Sequence, residues 1–450
     1  MATKKSKKKV SKKAIKAPAK PAAKGVIRTP VHRAPDPPSS TADSGKLAGV
    51  VGSLSQQKAE IATLIHKINS TGGKSDRKLV MLAADATSNA WLRRPSGIMQ
   101  LDIDTAGGLP AQEMTTIGGP GNSGKSTLLY HYYAQHQRIY GERSVIGATH
   151  SEGTIDYVQA RRCGWIVPFP KEEIEKLQAS REEQGFPLLT KAEVAELRRE
   201  VGTNVIVGVD TMEALMDRNL EMLRSNRFGI IGIDSYEGLL PAAEAALDSL
   251  EEHAQQALRA NCITRFCQKY NEIKGSPRHF TSLVFTLQVR SNRKKMEAST
   301  FMQKYIKDYT EDKAAYALQH ARAMHISVDS GSKIEEGTKE KKVTRGKAFT
   351  WKITKGKSGA HDNVHGETPY YYDERCFCLN NTLLVAGLRY GVIQEQGGYL
   401  TFYRNGEPDG YLYQVPGKEE FLQALQSDFE AAMGLRWEIC RVANVSPICR

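Results

Sequence analysis

A chain of 450 residues, 40% hydrophobic and 25% charged, is long enough for two or three folded units, one of them a full α/β core. No apolar run approaches the roughly 20 residues that span a bilayer, and the polar N-terminus lacks a secretory hydrophobic region, so neither a membrane span nor a leader is expected. The net charge of +13 is concentrated: residues 1–33 carry ten Lys, two Arg and no acid, which leaves 51 basic against 50 acidic residues elsewhere.

Residues 1–45 therefore read as a disordered basic tail, because Lys, Ala, Pro and Ser cannot bury enough apolar surface to fold. Such a tail suits phosphate backbones through counterion release, a targeting address, or a solubilising arm. Residues 46–90 contain one helix. Ser55 is its N-cap, Ile61, Leu64, Ile65 and Ile68 share a face, and Gly72-Gly73 stops it. So short a helix needs a partner for that face, from its own core or a neighbouring subunit.

Residues 91–375 alternate strands and helices. Met114–Ile117 is a short strand-like run, and Val145–Thr149, Val205–Val209, Ile230–Ile233 and Leu283–Leu287 are short apolar runs rich in Val and Ile, with helices such as Thr211–Arg224 and His253–Ile273 between them. This pattern predicts a mostly parallel sheet covered on both faces. Residues 376–450 read as a small α+β unit, with an apolar start at Leu383–Leu388, turns at Gly397-Gly398 and Asn405-Gly406, and a helix near Glu419–Met433. No internal repeat is visible.

The most specific motif lies at Gly119-Pro120-Gly121-Asn122-Ser123-Gly124-Lys125-Ser126-Thr127, between a strand and a run that opens a helix at Leu128–Tyr133. It fits the P-loop template. The glycines allow backbone N–H groups to turn inward around phosphates. Lys125 would reach the β- and γ-phosphates, Ser126 would hold Mg²⁺, and the helix N-terminus favours an anion.

Further residues narrow what such a nucleotide does. Asp234 ends a buried strand and would hold the Mg²⁺ shell through water; its alternative is a helix cap. Glu152 follows the Val145–Thr149 strand, where an acid can polarise the water attacking the γ-phosphate; it also reads as an exposed loop acid. Gln288 ends the Leu283–Leu287 strand, where an amide can sense the γ-phosphate and pass its presence to the next loop. Alternation in Trp351–Lys357 places Lys355 and Lys357 on one side of a strand or its end. They would neutralise growing phosphoryl charge, or merely solvate an edge. Of the seven cysteines, no pair has zinc-finger spacing with matching histidines, and Cys376-Phe377-Cys378 is too short for the usual redox pair, so reduced thiols are expected.

The order of these motifs resembles the RecA family of homologous recombinases, bacterial RecA and its UvsX-like phage relatives. The likeness runs from Ser96–Ile103 and Gly107–Pro110 through the P-loop, Glu152–Asp156, Ala160–Gly164, Asp234-Ser235 with Pro241, and Leu287–Arg290 to Lys355-Gly356-Lys357. The resemblance implies a RecA-like P-loop ATPase core with ATP and Mg²⁺ as cofactors. It implies Glu152 as general base, Gln288 as γ-phosphate sensor, and Asp156 among the nucleotide-binding residues. Lys355 and Lys357 become a pair reaching the ATP of a neighbouring protomer. ATP then sits at a protomer interface in a helical filament, the helix at Ile61–Ile68 serves polymerisation, and the unit from residue 376 gathers duplex DNA.

Two loops would hold DNA, about Ala242–Gln256 and Ser291–Lys313. Arg290, Arg293, Lys294, Lys295, Phe301, Lys304, Tyr305 and Lys307 supply cations interleaved with aromatics, which suit single-stranded DNA; an amphipathic surface helix is the plainer reading. The chain departs from the family pattern near Gln159, where a ring would stack on adenine; either Tyr157 is the substitute or adenine selectivity is weaker. The acidic residues of the first loop (Glu244, Asp248, Glu251, Glu252) depart from it too. The reading is a diverged, phage-encoded or bacterial DNA-dependent ATPase recombinase, cytoplasmic and nucleoid-associated. Its rivals are a ring-forming helicase or branch-migration motor, and a non-enzymatic DNA-coating protein.

Overall fold

In a computed structural model the described residues are Thr63 and residues 92–151, 155–246, 256–276, 279–291, 309–311, 316–338, 341–357, 359–373, 376–403 and 411–445. The tail at 1–45 and the segment at 46–90 lie outside them, apart from Thr63, which is helical and exposed.

The strands in chain order are β1 (Arg93–Arg94), β2 (Leu109–Pro110), β3 (Met114–Gly119), β4 (Val145–His150), β5 (Thr203–Val207), β6 (Ile230–Asp234), β7 (Ser282–Ser291), β8 (Tyr309–Glu311), β9 (Met324–Thr338), β10 (Lys341–Gly356), β11 (His365–Tyr371), β12 (Ile393–Gln396), β13 (Tyr399–Tyr403) and β14 (Tyr411–Pro416). The main sheet runs β11-β10-β9-β3-β7-β6-β4-β5. From β9 to β5 every neighbouring pair is parallel, as the continuous apolar runs require, because both faces are covered. The fold is thus an α/β architecture with a large, mostly parallel central sheet. The expected Val205–Val209 strand sits slightly earlier, at Thr203–Val207, because Val145–Thr149 sets its register.

One face is covered by the helix Lys125–Tyr140, which buries Leu128, Leu129, Tyr132 and Tyr133 against Ile117, Ile146 and Val284. The other carries Met212–Ser225 and Gln256–Lys274. Met212–Ser225 shows why such a stretch is a helix. Thr211 Oγ1 accepts the Ala214 N–H as N-cap, and Asn226 closes the end in the left-handed region at φ 51°. Met212, Leu215, Met216, Leu220 and Leu223 recur at helical spacing and are buried. Each contributes about 1.5–3 kcal/mol by leaving water.

The sequence reading missed two features. Two mostly exposed helices, Lys171–Glu183 and Lys191–Leu197, precede β5, the second started by a Thr190/Glu193 capping box. And β9, β10 and β11 extend the sheet in antiparallel fashion. Beyond residue 376, the helices Leu379–Arg389, Lys418–Ser427 and Phe429–Val442 pack with a sheet ordered β12-β13-β14 around Leu383, Phe402, Phe421 and Leu435. The single helix expected near Glu419–Met433 is two: Asp428 is extended, and its Oδ1 caps the second by accepting the Ala431 N–H at 2.9 Å. Arg436 of that second helix reaches Asp102 Oδ2 at 2.9 Å, and Ser96 and Gly97 also donate to this buried carboxylate. The turn at Asn405-Gly406 lies outside the described residues.

Two buried imidazoles make the fold acid-sensitive. Burial holds His136 down at about 3, with Arg94 acting in the same direction, and holds His279 at about 4, helped by Lys274. In the unfolded chain each titrates near 6.5. Between these values the unfolded state binds the extra protons, so stability is full above about pH 6.5 and falls as pH drops toward 4. The expected slope is up to about 1.4 kcal/mol per pH unit for each ring. Thermal melts from pH 7.5 to 5 should show the midpoint falling, and His136→Gln should flatten the fall.

Candidate nucleotide-binding site

The parallel strands bring distant residues to one edge. Gly119, the last residue of β3, pairs in register with Gln288 of β7, and Asp234, the last of β6, pairs with His150 of β4. The carboxyl ends of β3, β7, β6 and β4 therefore open onto one crevice, the usual ligand position in an open parallel sheet. A cavity of about 640 Å³ lies there, lined by the loop from Gly121 to Thr127 and by Asp156, Asp234 and Gln288 among others.

Local geometry explains the glycines. A Cβ on Gly119 would lie 2.4 Å from both Ser123 Oγ and the Val328 carbonyl, and Gly124 adopts φ +92° against the Phe349 ring. The Lys125 ammonium donates to the carbonyls of Gly119 (3.1 Å) and Pro120 (2.7 Å), at the mouth of the helix Lys125–Tyr140. It is 8% exposed, so it is a desolvated cation poised over a concave loop. Asp234 Oδ1 accepts from Thr286 Oγ1 at 2.5 Å. The Gln288 backbone N–H donates to Glu237 at 3.0 Å, and its side chain is exposed on the cavity. Ser126 and Asp234 present hard oxygen donors on the same cavity, a set that suits Mg²⁺.

Other expectations need correction or fall outside view. Asp156 lines the cavity, but its Oδ1 accepts the Gln159 N–H at 2.9 Å, so it also caps the helix Tyr157–Arg162. Among the described residues Tyr157 does not line the cavity; its ring packs on Phe169 with centroids 5.2 Å apart. The aromatic wall comes instead from Tyr130, Tyr370, Tyr372, Phe349 and Phe377. Lys355 and Lys357 do not line it either. Lys355 donates to the Gln319 carbonyl at 2.6 Å near the end of β10, and Lys357 lies just past that end, near enough to lower the Lys355 pKa. Glu152 lies outside the described residues, as do Arg293, Lys294, Lys295, Phe301, Lys304, Tyr305 and Lys307, and the side chain of Arg290. The first proposed loop is described only at Ala242–Ala246 and from residue 256. Beyond Gln288, β8 pairs antiparallel with β7 through Val289–Glu311, Arg290–Thr310 and Ser291–Tyr309. This ladder begins one residue past Gln288, and its last pair, Ser291–Tyr309, joins the residues that flank segment 292–308.

Several site residues escaped the sequence reading. Lys347 of β10 donates to the Asn122 carbonyl at 2.5 Å and to Ser330 Oγ at 2.8 Å. Burial lowers its pKa, opposed by Asp329. It is a second cation on the phosphate loop, and Lys347→Ala should weaken nucleotide binding about tenfold by equilibrium titration, the loss of one hydrogen bond to a charged group. His150 beside Asp234 is pushed below its ordinary pKa by burial, with Asp234 opposing. Gln159 Nε2 donates to the Tyr370 hydroxyl at 2.8 Å, and burial pushes that phenol up to about 12. No short motif marks Lys347 or Tyr370, because β10 and β11 carry them in from far along the chain.

No model of a known protein family matches the chain. It is similar to RecA proteins from Thermosynechococcus vestitus (26% identical over 216 residues, 48% of this chain and 49% of that protein) and Roseiflexus castenholzii (32% over 168 residues, 37% and 43%). A RecA protein from Thermotoga neapolitana is 24% identical over 306 residues, 67% of this chain and 70% of that one. The chain spans about half the length of the first two relatives. Distant homology of this kind supports RecA-family membership. Among the described residues no helix is long and apolar enough to cross a membrane.

Proposed function

We propose that this chain is a DNA-dependent ATPase recombinase, which assembles as a helical filament on single-stranded DNA and pairs it with homologous duplex. The observation that carries this reading is the register of β3 against β7. It sets Gln288 across from the phosphate loop, and the β7–β8 ladder that begins one residue later ends at Ser291–Tyr309, the pair flanking the basic, aromatic segment 292–308. Phosphate occupancy and the ordering of a DNA-binding loop then share one strand end. The distant RecA homology supports the same assignment.

In this reading Lys125 leaves the Gly119 and Pro120 carbonyls to bind the β- and γ-phosphates, with Lys347 beside it. Ser126 and Asp234 would hold Mg²⁺, which would supply charge neutralisation for the phosphates. Glu152 polarises the attacking water, and Gln288 reports the γ-phosphate to the loop. Tyr370 and Gln159 border the base. Lys355 and Lys357 lie off their own chain's cavity and act on the nucleotide of the adjacent protomer, so activity requires assembly. The proposed division of the chain is a basic tail (1–45), a polymerisation segment (46–90), an ATPase core (91–375) and a DNA-gathering α+β domain (376–450).

The test is steady-state ATP hydrolysis with and without single-stranded DNA, across protein concentration. DNA stimulation that rises cooperatively with protein supports the reading. An unchanged rate with any polynucleotide sinks it.

A further inference from the structure

We infer that His131, Cys163 and Cys376 form a zinc site behind the nucleotide cavity. The three come from separate places: the helix Lys125–Tyr140, the end of the helix Tyr157–Arg162, and the stretch after β11. All three side chains are buried, and their His131 nitrogen and two sulfur atoms lie within 4.8 Å of one another. His131 Nε2 is 3.4 Å from Cys376 Sγ, and the two sulfurs are 3.7 Å apart.

The two separations to Cys376 match a shared metal, and the His131–Cys163 pair lies within 4.8 Å. For a tetrahedral zinc bonded at about 2.3 Å to sulfur and about 2.05 Å to nitrogen, sulfur–sulfur edges come to about 3.8 Å and nitrogen–sulfur edges to about 3.6 Å. A disulfide needs the sulfurs at about 2.05 Å. Two thiols and an imidazole are soft and borderline ligands, which select zinc over magnesium or calcium. Three protein ligands leave a fourth position to water or another small ligand.

The surroundings hold the ligands in place. The His131 ring packs on Phe377 with centroids 4.7 Å apart; its Nδ1 finds no hydrogen-bond partner among the described residues, so packing sets its orientation. Gln159 Nε2 contacts Cys163 Sγ at 3.5 Å while donating to Tyr370. Gln159, Tyr370 and Phe377 all line the nucleotide cavity. Zinc would therefore pin its aromatic wall, independently of what the ATP cycle drives.

The experiment begins with full-length protein expressed with zinc and purified without chelator. Elemental analysis should find about one zinc per chain, and Cys376→Ser and His131→Gln should each lose it. Should those variants fail to fold, cobalt exchanged into the wild-type protein decides alone, by a thiolate-to-cobalt charge-transfer band. Chelation should also lower the thermal midpoint and weaken binding of a fluorescent ATP analogue. Metal-free protein whose Cys163 and Cys376 are freely alkylated, a Cys163–Cys376 disulfide, or copper in place of zinc would each overturn the assignment.

Discussion

Lys125→Ala leaves a folded protein that no longer binds ATP. The ammonium is already desolvated over the phosphate loop, held by the Gly119 and Pro120 carbonyls. It can move from these neutral acceptors onto phosphate oxygens with little reordering. Two charge-assisted hydrogen bonds, at about 1.5–3 kcal/mol each, correspond to a loss of about 10²–10⁴-fold in affinity. The helix Lys125–Tyr140 survives, because Leu128, Leu129, Tyr132 and Tyr133 anchor it and alanine suits its first turn. Calorimetric titration with a non-hydrolysable ATP analogue checks the binding, and an unchanged thermal midpoint excludes unfolding. Near-normal affinity would mean the loop does not grip phosphate.

Lys355→Ala behaves in the opposite way: ATP binds normally and DNA-stimulated turnover disappears. The residue is half-buried, donates to the Gln319 carbonyl and stands off its own chain's nucleotide cavity. Burial lowers its pKa, and neighbouring Lys357 and Arg322 lower it further. Glu113 opposes this shift, but three cations crowded together still gain from an anion supplied by a neighbouring protomer. A cation delivered in trans to a transferring phosphoryl group is worth about 10³-fold or more in turnover. Mixing Lys355→Ala with Lys125→Ala separates this from a folding defect. In the proposed assembly each interface pairs one chain's Lys125 with the next chain's Lys355, so mixed assemblies should recover part of the DNA-stimulated rate that neither variant has alone. No recovery at any ratio would contradict action in trans.

The P-loop and the strand ends were legible because their signals are local. A glycine pattern between a strand and a helix fixes a phosphate loop, and fully buried parallel strands read as unbroken Val/Ile runs. The β9–β10 hairpin was not legible. Its outer half alternates charged residues such as Lys333, Glu335, Lys342 and Arg345, exposed to solvent, and shows no apolar period. With it went Lys347 and Tyr370, whose place in the cavity depends on that pairing. The break at Asp428 was hidden because apolar spacing continues through it while the capping carboxylate restarts the helix. The His131–Cys163–Cys376 cluster was invisible for a different reason. Zinc signatures in sequence rely on ligands a few residues apart, and these meet only through tertiary packing. Tyr157 misled because it neighbours the right position in sequence but faces Phe169.

The central claim is that nucleotide held between adjacent copies governs assembly on DNA. Negative-stain electron microscopy on single-stranded DNA, with and without a non-hydrolysable ATP analogue, tests it most directly. Long helical filaments are expected with the analogue, and sparse or irregular ones without it. Closed rings, or particles that stay monomeric in both conditions, would contradict the claim.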